Sequence, residues 1–181
     1  AIKGARLTAT AQTRNLPAMR DGIAWSNDLL TIAARFADRV AVTDGAATMD
    51  FATLSARAHA LGHRLRAAGV LPGAPVATLV PNGVDAPWVS YGVTISGAAE
   101  VPVNAHSTDD ELAWFAELTG FRGIMAPARQ ADRLRALGFE PWAIEEIAPD
   151  PAPAALPPVP ADAWGRLIFT SGTTGKPKGI M

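Results

Sequence analysis

Residues 75–104, with the sequence PVATLVPNGVDAPWVSYGVTISGAAEVPVN, determine the predicted fold of this chain. The stretch begins with a short apolar strand at 75–80, which a Pro-Asn pair ends, and it closes with a second short strand at 99–104. Between the two strands lies a predicted helix, in which Pro87 is tolerated only close to the first turn. Two strands joined by a helix are typical of a parallel pair with a crossover connection. We therefore predict an α/β protein.

The same alternation extends toward the N-terminus. A helix is predicted at 26–38, with Ser26 or Asn27 as its N-cap. Two short strands then flank an Asp-Gly turn at 44–45, which is a strong hairpin signal. A longer helix follows at 53–69, because its leucines and alanines recur at spacings of three and four residues and a glycine ends it.

Toward the C-terminus the pattern continues to about residue 147. Thr108 and Glu111 have the spacing of a capping box, which predicts a helix that packs Leu112, Phe115 and Leu118. A strand at 122–127, a helix at 128–138 and a strand at 139–144 follow. Strands and helices that alternate at this spacing predict a doubly wound α/β fold, a mostly parallel sheet with flanking helices.

Composition limits the classes of function. The hydrophobic fraction of 49% and the charged fraction of 18% are those of a soluble globular protein with a core. A net charge of −1 gives no reason to expect nucleic acid or an anionic membrane as partner. The absence of cysteine excludes disulfides, and no metal site is predicted. Neither a signal peptide nor a membrane span is predicted, so we expect a cytoplasmic location.

The sequence TSGTTGKPKG at 170–179 follows an apolar strand and predicts a loop that binds phosphate. Its glycines can bring backbone N–H groups close to an anion, its hydroxyls can donate, and its lysines supply positive charge. Two of the three lysines in the chain lie here. The predicted ligand-binding residues are Thr170, Ser171, Gly172, Thr173, Thr174, Gly175, Lys176 and Lys178.

The P-loop of nucleoside triphosphatases does not fit this stretch. Gly172 and Gly175 enclose two residues where that loop has four, and Lys176 is followed by Pro177 where Ser or Thr should bind magnesium. The proline also favours an extended chain after the loop over a helix. A surface loop without a ligand remains the alternative.

The stretch FTSGTTGKPKGIM, residues 169–181, closely resembles the phosphate-loop signature of the adenylate-forming superfamily. That superfamily includes acyl- and aryl-CoA ligases, the adenylation domains of peptide synthetases and beetle luciferases. Residues 49–70 and 69–104 resemble earlier segments of the same family, so the likeness runs from about residue 25 to the end. Lys178 matches an invariant position of the signature, and Lys176 falls at a variable one.

The resemblance implies an enzyme that uses Mg-ATP to convert a small-molecule carboxylate into an acyl-adenylate and pyrophosphate. Most members then transfer the acyl group to a thiol, commonly coenzyme A, so the implied cofactors are ATP, Mg²⁺ and coenzyme A. The loop is implied to hold the β- and γ-phosphates, because a departing pyrophosphate needs donors and cations placed in advance. No catalytic or metal-binding residue is implied within this chain.

The family's adenine, ribose and acyl sites and its catalytic lysine lie after this loop. The resemblance therefore implies an N-terminal portion of a larger ligase, which is inactive without the remainder of its own polypeptide. We divide the chain into four parts by composition and resemblance. They are a polar arm at 1–24, an α/β subdomain at 25–147, a Pro-rich connection at 148–163, and a strand plus phosphate loop of an incomplete AMP-binding domain at 164–181.

Three classes of function remain open. A piece of an acyl- or aryl-CoA ligase is favoured, because LVPN and VPVN look closer to that branch. The alternatives are a piece of a peptide-synthetase adenylation domain and a non-catalytic fragment that binds or packs against a partner.

Other chemistry-bearing residues receive structural interpretations. His59 and His63 are expected on a solvated helix face among arginines, and His106 is expected in an ordinary loop. Four aromatic residues are expected in the core: Trp88, Tyr91, Trp114 and Phe115.

Overall fold

The computed structural model describes residues 22–170 and 178–180. Within those residues, helices and strands alternate along most of the chain. The helices are α1 Trp25–Phe36, α2 Phe51–Ala67, α3 Asp85–Ser96, α4 Asp109–Thr119 and α5 Ala131–Ala136. The strands are β1 Val40–Thr43, β2 Thr48–Asp50, β3 Pro75–Thr78, β4 Ala99–Pro102, β5 Gly123–Ala126, β6 Glu140–Ala143, β7 Ile168–Thr170 and β8 Lys178–Ile180.

Four parallel strands form the central sheet in the order β4-β3-β5-β6. Pro75 of β3 lies opposite Ala99 of β4, and the pairing continues in register to the ends of both strands. From β3 the chain moves to one side to form β4, and then crosses to the other side to form β5. The sheet and its flanking helices confirm the predicted α/β class. Ligands of such sheets commonly bind beyond the carboxyl ends of the strands.

The two faces of the sheet carry separate hydrophobic clusters, because successive strand residues point to opposite sides. Val76 and Met125 belong to the cluster that includes α2 and α3. Ala77 and Ile124, their neighbours in sequence, belong to the cluster that includes α4 and α5. Helices therefore cover both faces, as the doubly wound prediction requires.

Helices α2 and α3 meet at two glycines. A Cβ at Gly92 would lie 2.7 Å from Leu61 Cδ2 and 2.8 Å from Leu61 Cβ. A Cβ at Gly62 would lie 3.0 Å from Ile95 Cγ1. Both glycines lie inside helices, where this residue costs about 1 kcal/mol relative to alanine, and the close approach of the two helices explains their presence.

Two expectations about side-chain positions are wrong. Tyr91 is 49% exposed and Leu118 is 40% exposed, although both were predicted to pack in the core. In α4, Leu112 and Phe115 are buried. Three residues cover about 300° around the helix axis, about 60° short of a full turn, so two such steps place Leu118 outside the buried stripe. Tyr91 likewise lies outside the buried stripe of α3.

The start of α1 also differs from its prediction. The helix begins at Trp25, its N-cap position is Ala24, and no side chain caps it. Ser26 is instead a buried helical residue whose hydroxyl has two distant partners. It lies 3.0 Å from His59 Nε2 and accepts a 2.9 Å hydrogen bond from the backbone N–H of Leu156.

His59 is fully buried, so its expected place on a solvated face is wrong. Its Nδ1 lies 2.8 Å from the carbonyl oxygen of Ser55, and Ser26 meets its Nε2. Both ring nitrogens therefore have partners, which allows a polar side chain to lie in the core. His63 is partly exposed, and its Nε2 lies 3.0 Å from the carbonyl oxygen of Ala154.

The Pro-rich segment (148–163) lies against the helices. In addition to the contact of Leu156 with α1, the backbone N–H of Asp150 donates to the carbonyl of Ala56 in α2. Val159 exchanges two backbone hydrogen bonds with Ile23, at 2.7 and 2.9 Å. The segment thus bridges the N-terminal side of α1 and the surface of α2. No helix in the described part of the chain is both long and apolar enough to cross a membrane.

Asp50 caps α2, and its removal should destabilise the fold in a pH-dependent way. Its carboxylate accepts a 2.7 Å hydrogen bond from the backbone N–H of Thr53. The backbone and side chain of Thr53 hold the pKa of Asp50 below its ordinary value. We expect Asp50→Ala to lower the free energy of unfolding by about 1 kcal/mol at neutral pH.

Because the folded pKa is depressed, the Asp50 carboxylate stabilises the fold above the unfolded pKa, and this contribution is lost as the pH falls through the folded value. Urea unfolding of the wild type and Asp50→Ala at several pH values measures the effect. Asp50→Asn is the matched control, since it keeps an oxygen acceptor but does not titrate. An Asp50→Ala difference that stays constant down to low pH would contradict this account.

Candidate functional site

The predicted phosphate loop lies between the two strands of a terminal hairpin. β7 and β8 pair antiparallel, with Ile168 opposite Ile180 and Thr170 opposite Lys178. The extended chain predicted after the loop is therefore present as β8. Two of the predicted site positions, Thr170 and Lys178, form the last pair of the hairpin. The other six predicted residues, between 171 and 176, lie outside the described residues.

Backbone hydrogen bonds attach the hairpin to the central sheet. The N–H of Glu100 in β4 donates to the carbonyl of Gly165, at 3.0 Å, and the N–H of Leu167 donates to the carbonyl of Glu100, at 2.8 Å. Glu100 and Arg166 thus form a parallel bridge. Because the two segments run in the same direction, Thr170 and Asn104, each four residues further on, emerge at the same end of the sheet. The loop therefore begins at the carboxyl end of β4.

An aromatic cluster holds β7 from its other side. The ring centroid of Phe169 lies 4.7 Å from that of Phe115 and 5.9 Å from that of Trp114, both in α4. Ring pairs at these separations contribute about 0.5–1.5 kcal/mol beyond their burial. The residue just before the loop is therefore fixed on the helix that covers this face of the sheet.

A buried carboxylate pairs with the arginine that precedes β7. Glu100 is 4% exposed, and its side-chain oxygens lie 2.9 Å from Thr78 Oγ1 and 2.8 Å from Ser90 Oγ. Arg166 Nη2 lies 2.5 Å from Glu100 Oε2, and it also donates to Ser90 Oγ. The carboxylate is therefore paired with a cation and accepts two hydroxyl hydrogen bonds, which its burial requires.

A cavity of about 740 Å³ lies at the carboxyl ends of β3 and β4. Thr78, Ser90, Glu100 and Arg166 form part of its wall. Further lining residues come from the loops that follow the two strands and include Asn82, Asn104 and His106. His106 is exposed, and its backbone N–H donates to Asn104 Oδ1 at 2.9 Å. The cavity wall combines apolar side chains with about as many polar and charged ones, an arrangement that suits a polar small molecule.

The network of Glu100, Arg166, Ser90 and Thr78 was not predicted from the sequence. A signal was present, since Glu100 and Arg166 are single charges within otherwise apolar strand segments, AEVPVN and WGRLIF. Their separation of 66 positions gave no indication that they pair. Among the described residues there is no group of three or more His, Cys, Asp or Glu side chains that could hold a metal ion.

Comparison with known proteins gives a family match over most of the chain. The model of the family described as AMP-binding enzyme matches residues 29–181. Syringomycin synthase SyrB1 from Pseudomonas syringae pv. syringae is 33% identical over 156 residues, which is 82% of this chain and 25% of that protein. The 2-succinylbenzoate–CoA ligase of Geobacillus kaustophilus (strain HTA426) is 32% identical over 152 residues, 80% of this chain and 30% of that protein.

Solved structures show the same fold. The nonribosomal peptide synthetase FmoA3 in its AMPPNP-bound form has a TM-score of 0.75 at 25% identity, covering 88% of this chain and 17% of that one. The O-succinylbenzoate coenzyme A synthetase of Bacillus subtilis in complex with AMP has a TM-score of 0.71 at 23% identity, covering 88% of this chain and 42% of that one. The chain thus spans less than half the length of each of these proteins.

Proposed function

We propose, from the premise that this chain belongs to the AMP-binding enzyme family of adenylate-forming ligases, that it supplies the polyphosphate-binding part of such an enzyme. The reaction is the activation of a small-molecule carboxylate. A carboxylate oxygen attacks the α-phosphorus of ATP, the bond from that phosphorus to the oxygen bridging to the β-phosphate breaks, and pyrophosphate leaves. The organic product is an acyl-adenylate.

The observation that supports this proposal is the hairpin of β7 and β8. It follows Arg166, which lines the cavity, and Thr170 and Lys178 form its last pair. The residues between 170 and 178 provide hydroxyls, glycines and a second lysine. In the proposed role they bind the β- and γ-phosphates and stabilise the negative charge that develops on the leaving group.

Magnesium is implied by the family, and bound Mg²⁺ offsets the charge of the phosphates. The described residues contain no carboxylate cluster that suits it, so we assign no residue of this chain to the metal. Hydroxyl, backbone N–H and ammonium groups are instead the donors that phosphate oxygens accept from. The proposal for this chain is therefore limited to phosphate binding.

A titration with a series of ligands tests the role of the loop. We expect the 181-residue chain to bind pyrophosphate and ATP measurably by calorimetry and to bind AMP at least about tenfold more weakly, because AMP lacks the two phosphates that the loop contacts. Affinity for pyrophosphate should fall with rising salt concentration. Equal binding of AMP and pyrophosphate would contradict the proposal.

The same preparation should show no carboxylate-dependent ATP–pyrophosphate exchange. In the family, the adenine, ribose and acyl sites follow the loop, and we propose that they belong to the remainder of a longer protein. Exchange is measured with labelled pyrophosphate and a panel of carboxylic acids. Exchange catalysed by the 181 residues alone would mean that a complete active site is present within them.

The acyl acceptor has two candidates. We propose coenzyme A, because LVPN and VPVN at the ends of β3 and β4 look closer to the CoA-ligase branch and a CoA ligase is among the relatives. A carrier-bound thiol is the second candidate, supported by the likeness to syringomycin synthase SyrB1 and to gramicidin S synthase 2 of Brevibacillus brevis. Thioester formation by the complete protein with free coenzyme A would distinguish the two.

A further inference from the structure

The hairpin is attached to the rest of the fold on two sides, by the backbone bridge to β4 and by the packing of Phe169 against Trp114 and Phe115 of α4. β7 has three residues and pairs with β8 in a two-stranded sheet of its own. In the part of the chain that the structure describes, β7 and the residues before it join β4 through the bridge between Glu100 and Arg166. The aromatic contact anchors β7 to α4, whereas its angle relative to β4 depends on the bridge and on the side chains that meet there.

The same two residues that form the backbone bridge also form an ion pair, in which the carboxylate is buried and the arginine is partly exposed. Arg166 Nη2 lies 2.5 Å from Glu100 Oε2, and the Glu100 side chain is 5% exposed. Thr78 from β3 and Ser90 from α3 donate to the same carboxylate. The carboxylate therefore joins β3, β4, α3 and the segment leading to β7 at a single point.

Breaking such a pair is costly because the remaining charge stays in the protein. Removal of the arginine leaves Glu100 with two hydroxyl donors and no cation. Loss of the acid leaves the Arg166 guanidinium beside Ser90 without a counter-charge. The structure can relieve either situation by letting the segment around Arg166 move away from β4 toward water, because the Arg166 side chain is already 45% exposed.

We propose that the Glu100–Arg166 pair is a positioning device, which fixes the angle of the phosphate hairpin on the sheet and thereby sets the affinity of the loop for polyphosphate. This inference rests on the proposed function. Neither residue belongs to the loop, since Arg166 precedes Thr170 by four positions and Glu100 lies in β4. They act through the hairpin and are positioning residues.

Hydrogen exchange measured by mass spectrometry tests the attachment without reference to activity. We expect Arg166→Ala to speed exchange of the Leu167 amide, which donates to the carbonyl of Glu100 in β4, by at least about tenfold, while the amides of β3 and β5 keep their protection. Arg135→Ala is the matched control, since it removes an exposed arginine paired with Asp132 at 2.9 Å. Unchanged exchange of the Leu167 amide in Arg166→Ala would overturn the inference.

Pyrophosphate titration of the same variants tests the consequence for the loop. We expect Arg166→Ala to weaken pyrophosphate binding by about tenfold. Arg166→Lys should weaken it less, because lysine keeps the positive charge but lacks the planar guanidinium group. Arg135→Ala should bind as the wild type does. Normal affinity in Arg166→Ala, despite faster exchange of the Leu167 amide, would overturn the link between hairpin position and binding.

Chemical rescue separates positioning from a general loss of stability. Low concentrations of guanidinium ion should restore pyrophosphate affinity to Arg166→Ala, because the ion can occupy the space beside Glu100 and the site is open to water. A variant that is only less stable should instead lose affinity, because guanidinium is a denaturant. Failure of rescue in a folded Arg166→Ala would overturn a positioning role.

The two proposals fail in different ways. If the wild-type chain binds no pyrophosphate, the proposed function fails, and the claim about affinity fails with it. The exchange rate of the Leu167 amide still decides whether the ion pair fixes the hairpin. If Arg166→Ala does not fold, Arg166→Lys and Glu100→Gln provide the same comparison, and wild-type exchange rates in both would overturn the inference.

Discussion

Replacing Lys178 and Thr173 together by alanine should slow ATP–pyrophosphate exchange by the complete enzyme about a thousandfold. Lys178 lies opposite Thr170 in the hairpin of β7 and β8, and Thr173 belongs to the loop outside the described residues. Removing one preorganised donor to developing negative charge typically costs about two to three orders of magnitude in rate. Removing a cation and a hydroxyl should therefore abolish most of the stabilisation of the leaving pyrophosphate.

Exchange kinetics at saturating ATP and carboxylate measure this effect, with Lys3→Ala as the matched control. Lys3 is the remaining lysine of the chain and lies far from the loop in sequence. Lys176→Ala should slow exchange less than Lys178→Ala does, because Lys176 falls at a variable position of the family signature. Exchange rates within a factor of about two of the wild type in the double variant would mean that this loop does not stabilise the leaving group.

Replacing Trp88 by alanine should lower the free energy of unfolding by about 3–5 kcal/mol. Trp88 is fully buried between the sheet and the helices of its face, and its Nε1 donates to Asp85 Oδ1 at 2.8 Å. The Arg57 guanidinium carbon lies 5.3 Å from its ring centroid. The variant loses the buried ring, leaves a cavity in its place and removes the ring that the Arg57 guanidinium contacts. Each of these changes lowers the free energy of unfolding.

Urea unfolding followed by far-ultraviolet circular dichroism measures the change. Trp164→Ala is the matched control, because Trp164 is 43% exposed and should cost less than about 1 kcal/mol. A loss of several kcal/mol is a large part of the roughly 5–15 kcal/mol that a domain of this size has. Equal destabilisation by the two substitutions would show that the burial of Trp88 contributes little.

Local features of the fold could be predicted from the sequence. The capping box of Thr108 and Glu111 is confirmed by both of its hydrogen bonds, because three positions of sequence contain the whole interaction. The turn at 44–45 joins β1 and β2 as predicted. The order of the strands could not be predicted, because the central place of β3 depends on pairing with β5, about 47 positions away.

The candidate site also combines residues that are adjacent in sequence with residues that meet only in the folded structure. The residues of the loop are adjacent in sequence, so the order of glycine, hydroxyl and lysine along the chain is enough to indicate phosphate. Glu100, Arg166 and Ser90 meet only after the sheet and α3 have formed. His59 illustrates the same limit, since the arginines near it in sequence suggested solvent, whereas Ser26, 33 positions earlier, supplies the partner that permits burial.

The hydrogen bond between the Pro-rich segment and α1 has a consequence for synthesis on the ribosome. Ser26 receives its backbone hydrogen bond from Leu156, 130 positions later. During translation, α1 and α2 emerge early, but Leu156 is still inside the ribosome when Ala143, the last residue of the central sheet, emerges. The contact of α1 with the Pro-rich segment therefore forms only after the central sheet has emerged, shortly before residues 170–179 follow.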